Sequence, residues 1–185
     1  MVTIIKYNMK KIFTLLTLLI TVLIFSQDFV LTETNYKLKP DLSKDYVVLY
    51  FPDKNEEALF NLVQKNIKYK FKTQIINYQE IQNEQIIVDV TSLASRTIYI
   101  NKRGSNVWKV VNRYELNFKN GKIMVRPYFL KLINEDLKTE VSLGNFFNSR
   151  GIVRLEHGVE FAELLTNSFV RTFNDDLIEN KKEDW

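Results

Sequence analysis

Residues Trp108–Lys131 read WKVVNRYELNFKNGKIMVRPYFLK, and this stretch decides the fold. Trp108, Val110, Tyr114, Leu116 and Phe118 alternate with Lys109, Arg113, Glu115 and Asn117. A period of two belongs to a strand with one dry face. Asn120-Gly121, set between Lys119 and Lys122, suits a two-residue type I′ turn whose central residues both take positive φ. Beyond the turn, Ile123, Val125, Pro127 and Phe129 share one phase. A two-residue turn sets Phe118 opposite Ile123, Leu116 opposite Val125 and Tyr114 opposite Pro127. Apolar meets apolar at every pair, so turn chemistry and face pattern specify a single register. Pro127 has no N–H for a ladder, which predicts an edge strand or a loss of pairing there.

Working outward, Tyr46–Phe51 is β-branched and aromatic and stops at Pro52-Asp53, the pattern of a buried strand. Asn55 stands before Glu56-Glu57-Ala58 as an N-cap with acids in the first turn. Leu59, Leu62, Val63, Ile67 and Phe71 then recur at helical spacing, an amphipathic helix laid on a sheet. Gln74–Gln79, Gln85–Thr91 and Arg96–Asn101 read as short strands, with Lys102–Asn106 the turn before the hairpin. Asp28–Asp45 reads as an irregular lead-in with at most one short strand. Asn134–Arg150 reads as a loop or short helix pinned by Leu143, Phe146 and Phe147. Phe161, Leu165, Phe169, Phe173 and Leu177 fall every fourth residue, with Glu160 and Glu163 in the first turn and Lys181-Lys182 beyond the last. Burying each Phe stabilises by roughly 1.5–3 kcal/mol, so this C-terminal helix packs on the core.

The 185 residues fit one domain with extensions. Lys10-Lys11, the apolar run Ile12–Phe25 and Ser26 describe a secretory signal peptide over 1–26. The run is shorter than the roughly 20 residues of a membrane span and carries Thr14, Thr17 and Thr21. The alternative is a membrane-tethered accessory protein that keeps the segment as its anchor. The formal charge of +4 includes Lys6, Lys10 and Lys11; after Ser26, 23 basic residues face 22 acidic ones, about +1. A near-neutral domain lacks the clustered basic face of a nucleic-acid binder. With no cysteine, disulfides, thiolate metal sites and a lipid-modified tether are excluded. The expected location is exported: periplasmic, cell-envelope or secreted.

The residues hold no catalytic constellation. His157 is the sole histidine, which rules out a His-based metal triad and leaves only a formal Ser/His pairing. Glu135-Asp136 and Asp175-Asp176 are adjacent pairs, and neighbours on a helix diverge by about 100°. Lys102-Arg103 beside Gly104 reads as a solvated turn, and no phosphate loop or nucleophile elbow is present. No cofactor or metal is expected. Most aromatics share the apolar phase of their strands. Met124 and Tyr128, on the opposite phase of the return strand, mark the candidate ligand surface. The partner expected is a protein, a peptide or a small ligand, not nucleic acid; a membrane enters only if the N-terminal segment is kept.

The order of elements, with Glu57, Leu59-Phe60, Asn66-Ile67, Phe71 and the turn Asn120-Gly121-Lys122, resembles an uncharacterised family of exported Bacteroidetes-type proteins. That family is assigned a fold like the TATA-binding protein. The resemblance covers about Tyr46 to Leu132. It implies an α+β fold, a curved antiparallel sheet with helices packed on one face, and an envelope location. It carries no active-site residues, and a shared fold does not imply DNA binding. The expected organisation is a lead-in over 27–45, an α+β domain over 46–132, and an extension over 133–185 with an amphipathic helix. Function is expected to be a non-enzymatic binding or structural role.

Met9 directly before Lys10-Lys11 makes a compact start to the signal. The sequence therefore leaves two starts, Met1 and Met9, and N-terminal sequencing of an uncleaved precursor beginning at Met1 would remove the second.

Overall fold

The computed structural model describes residues 28–98 and 106–179. Its centre is the expected hairpin, β7 (Asn106–Lys119) and β8 (Lys122–Asn134). Phe118 pairs with Ile123, Leu116 with Val125 and Tyr114 with Pro127, the register that the turn and the apolar phase specify. Around it lie β3 (Val47–Tyr50), β4 (Ile75–Ile81), β5 (Gln85–Thr91), β6 (Arg96–Ile98) and β9 (Thr139–Val141). The seven-stranded antiparallel sheet runs β3-β8-β7-β5-β4, with β6 added to β7 and β9 to β8. Helices α1 (Glu56–Lys70) and α2 (Glu156–Glu179) both cover one face. The architecture is α+β, with an open sheet bearing its helices on a single side.

The turn itself differs from expectation. Gly121 has φ +73, but Asn120 is not among the residues with positive φ, so the pair is not a type I′ turn. Tertiary contacts hold it instead. Asn120 Oδ1 accepts from Glu56 N–H at 3.0 Å, Gly121 N–H donates to Lys54 O at 2.9 Å, and Phe51 N–H donates to Gly121 O at 2.7 Å. The β3–α1 connection thus grips the hairpin tip and outweighs the local preference of Asn-Gly.

Pro127 behaves as its chemistry requires, though β8 is not an edge strand. Partner β3 reaches only to Val125 and β9 begins at Leu132, leaving the β8 edge open between them. Phe129, two residues on and therefore facing the same way, sends its N–H into that gap. No ladder bond is lost at Pro127. A bulge between Val111/Asn112 and Lys131/Phe129 then shifts the phase, so that Leu132 follows Phe129 in the core.

Tyr46–Phe51 was expected to be buried; β3 is an edge strand instead, with Val47 and Leu49 inside and Tyr50 73% exposed. The lead-in also differs, for it forms the hairpin β1 (Phe29–Thr32) and β2 (Asn35–Leu38). Side-chain amides attach this hairpin to the rest. Asn167 of α2 exchanges both bonds with Phe29, accepting from its N–H at 2.7 Å and donating to its carbonyl at 3.0 Å. Asn35 treats Phe129 likewise, at 2.8 and 3.1 Å, and so fills the open edge of β8. Asn35 reaches it from φ 99, a conformation asparagine tolerates better than most residues.

The helices obey their periodicity. Asn55 Oδ1 caps α1 by accepting from Ala58 N–H, and Leu59, Phe60, Val63 and Ile67 are buried. On α2, Phe161, Phe169 and Phe173 are buried, and Phe169 stacks on Tyr114 with centroids 3.6 Å apart. This helix starts at Glu156, earlier than expected, so Glu163 lies inside it and accepts from Leu31 N–H at 2.8 Å. Gly158 in the first turn lets the buried Phe146 ring approach, since a Cβ there would meet it at 2.9 Å. Between β9 and α2, a short 3-10 turn (Leu143–Asn145) brings Phe146 and Phe147 into the core. One cluster of buried side chains runs from Phe29 through the sheet to Phe173.

Asn167→Ala removes both amide bonds to Phe29. It is expected to cost about 1–3 kcal/mol in urea unfolding with an unchanged m-value, and to speed hydrogen exchange at the Phe29 amide. Loss of stability without faster exchange at Phe29 would contradict the clasp.

Candidate functional site

Two groups of polar side chains stand out, one on each face of the sheet. On the covered face, Asn112 shares the apolar phase of β7 and lies buried. Its Nδ2 donates to Thr166 Oγ1 at 2.9 Å and Tyr114 Oη at 3.2 Å. The Tyr36 hydroxyl lies within reach of Asn112 Oδ1 at 3.1 Å and the Ala162 carbonyl at 3.0 Å. Burial pushes the Tyr114 phenol up to about 12, and burial likewise raises that of Tyr36. Both stay protonated, as donors and acceptors in a closed network. It joins β2, β7 and α2, and its chemistry is structural: buried polar groups satisfied by one another. Burial also raises the carboxyl of Glu163, against the lowering effect of its bond from Leu31.

The uncovered face carries the outward phases of β3, β8, β7 and β5. Arg113 grips Asp89 with Nε to Oδ1 at 2.7 Å and Nη2 to Oδ2 at 3.0 Å, and Asn77 adds a bond at 3.3 Å. That fork holds the Asp89 carboxyl below the usual aspartate range. Arg126 meets Asp45 at 3.2 Å and Glu115 at 3.7 Å. At the hairpin end the pairs Val48↔Met124, Tyr50↔Lys122, Asn117↔Met124 and Lys119↔Lys122 line a groove of about 380 Å³. Its lining combines apolar and aromatic side chains (Val48, Tyr50, Met124) with two lysines and an amide (Lys119, Lys122, Asn117).

The sequence-selected residues fall out as follows. Met124 and Tyr128 share this face, and Met124 lines the groove. Tyr128, four residues along the strand and so about 13 Å away, pairs with Arg113 instead. His157 is exposed in the first turn of α2 with Nδ1 3.4 Å from Glu160, and among the described residues no hydroxyl is hydrogen-bonded to it. Glu135 pairs with Lys109 at 2.7 Å. Among the described residues no group of three His, Asp or Glu side chains is placed to hold a metal. Lys102-Arg103, the expected signal peptide over 1–26 and Lys181-Lys182 lie outside the described residues, as do the Asp175-Asp176 side chains. Among the described residues no helix is long and apolar enough to cross a membrane.

Sequence reasoning missed Val48, Tyr50, Asn117, Lys119 and Lys122 as companions of Met124. The outward phase of the hairpin contains three of them and was readable. Val48 and Tyr50 depend on which strand lies beside β8, and no local pattern states that.

With this geometry in place, the chain can be set beside known proteins. No family model and no curated protein matches it. Among solved structures it is similar to a DUF4468 family protein from Bacteroides ovatus, at 12% identity and a TM-score of 0.44 over 72% of this chain and 80% of that one. It is also similar to a TBP-like protein from Parabacteroides distasonis, at 10% identity and 0.47 over 75% and 91%.

Because Arg113 lowers the Asp89 carboxyl, the pair stabilises the fold above the ordinary aspartate value of about 4, and this is lost as pH falls through the lower folded value. Asp89→Asn is expected to cost about 1–3 kcal/mol at neutral pH. The gap between parent and variant in urea midpoint should close with acidification. A gap that persists unchanged in acid would show that the charge is not what stabilises.

Proposed function

We propose that this is an exported, non-enzymatic protein of the cell envelope that binds a ligand on the uncovered face of its sheet. The observation that carries the reading is the groove at the hairpin end, where Val48, Tyr50 and Met124 turn apolar surface toward solvent beside polar groups. A concave apolar floor with a few polar groups at its margin is the usual form of a ligand site. The interior supports the same reading from the other side. Tyr36, Asn112, Tyr114 and Thr166 are engaged with one another, and among the described residues His157 stands at the surface with no hydroxyl hydrogen-bonded to it. Export rests on Lys10-Lys11 and the apolar run Ile12–Phe25.

Expression of the full chain in a bacterial host, with fractionation in the presence and absence of signal-peptidase inhibition, tests export. A shift to smaller size that the inhibitor blocks is expected, with the product in the periplasmic or secreted fraction. Full-length protein held in the membrane under both conditions would favour the anchored alternative.

A further inference from the structure

The basic residues of the central hairpin divide into two kinds. Among the described residues, Lys109 is answered by Glu135, Arg113 by Asp89, Arg126 by Asp45 and Glu115, and Lys131 by Glu140. The two that remain, Lys119 and Lys122, have no carboxylate within ion-pair distance, and they face each other across the hairpin. Like charges directly opposite on paired strands are destabilising. Elsewhere this hairpin balances its charges; here it sets two cations side by side in a groove that Val48, Tyr50 and Met124 also line.

We propose that the groove takes a small anionic ligand with a flat apolar body, an aryl or similarly planar carboxylate, sulfonate or phosphate. This rests on reading the groove as a ligand site. The anionic group bridges the Lys119 and Lys122 ammonium groups, which lie on partnered residues and so within reach of a single anion. Tyr50, 73% exposed and paired with Lys122, offers its ring to the planar body. Val48 and Met124, directly opposite each other, supply the apolar seat. Asn117, which already accepts from Gln85 Nε2 at 3.0 Å, keeps its own amide protons for the ligand. The uncompensated lysine pair thereby has a purpose: the anion supplies the countercharge that the chain withholds.

The test uses Met124 itself. The other methionines are Met1 and Met9, so methyl-labelled methionine in the full chain gives a groove signal that is assigned by its loss in Met124→Leu. The probes are naphthalenesulfonate and its uncharged analogue naphthalenesulfonamide. The sulfonate is expected to move the Met124 signal saturably, at least about fivefold tighter than the sulfonamide, with an affinity that falls as salt is raised. In Lys119→Gln combined with Lys122→Gln the preference should vanish, with a melting temperature equal to or above the parent's. Equal binding of both probes by the parent would overturn the anionic class while leaving the groove as a ligand site. No movement with either probe would overturn both. A sulfonate preference that survives the double substitution would overturn the assignment to these lysines.

Discussion

The pairing of β7 with β8 is the constraint on which the rest of the structure depends. Because side chains alternate along a strand, fixing Phe118 against Ile123 fixes the face of each hairpin residue up to the bulge. Tyr114, Leu116, Val125 and Phe129 then form the surface on which α1 and α2 pack, and β3 and β5 extend it on either side. A slip of one residue by β7 would carry Arg113 and Lys119 toward the core, and one by β8 would carry Arg126. The cost of burying those charges makes the register effectively single-valued. The bulge at Val111/Asn112 is the place where the pattern yields, and beyond it Leu132 and Asn134 take over the inward phase of β8.

The second constraint is the fate of strand edges. The two edges around β1 and β8 that lack a neighbouring strand are closed by an asparagine side chain whose amide presents a donor and an acceptor, as a peptide group does. Asn167 does this for Phe29 and Asn35 for Phe129. The small hairpin β1-β2 is thereby fastened to the helix on one side and the main sheet on the other, and Tyr36 enters the core to meet Asn112 and Ala162. These are long-range contacts made by ordinary polar residues. In the sequence, Asn35 sits in a polar stretch and Asn167 on a helix among other polar residues; nothing local distinguishes them from solvated neighbours. Asn112 gave a fainter signal, a polar residue on an apolar phase, and the hydroxyls that satisfy it come from the distant Tyr36 and Thr166.

The two faces of the sheet use polarity differently. Under the helices, Tyr36, Asn112, Tyr114 and Thr166 are engaged with one another and so specify packing, while the buried Trp108 Nε1 has no hydrogen-bond partner among the described residues. On the open face, charges are paired in rows across the strands until the hairpin tip, where Lys119 and Lys122 break the pattern above Tyr50 and Met124. The phase of Met124 made it readable as an outward apolar residue. Tyr128, in the same phase, has a different setting beside Arg113, which only the neighbouring strand defines.

By itself the sequence determined what depends on nearest neighbours and on period. It set the hairpin and its register, the cap at Asn55, the apolar faces of α1 and α2, and the burial of Phe146 and Phe147. Each follows from side chains within a turn or a tight loop of one another, where spacing is geometry. Only the tertiary structure decided that Asn120 leaves the mirror-image turn, that the lead-in pairs as β1-β2, and that β3 lies beside β8 with Tyr50 lining the groove. In each case the deciding partner is far along the chain: Glu56 for Asn120, Asn167 for Phe29, Met124 for Val48. A contact of that kind is chosen by the folded whole, because its free energy is gained only when both segments are already in place.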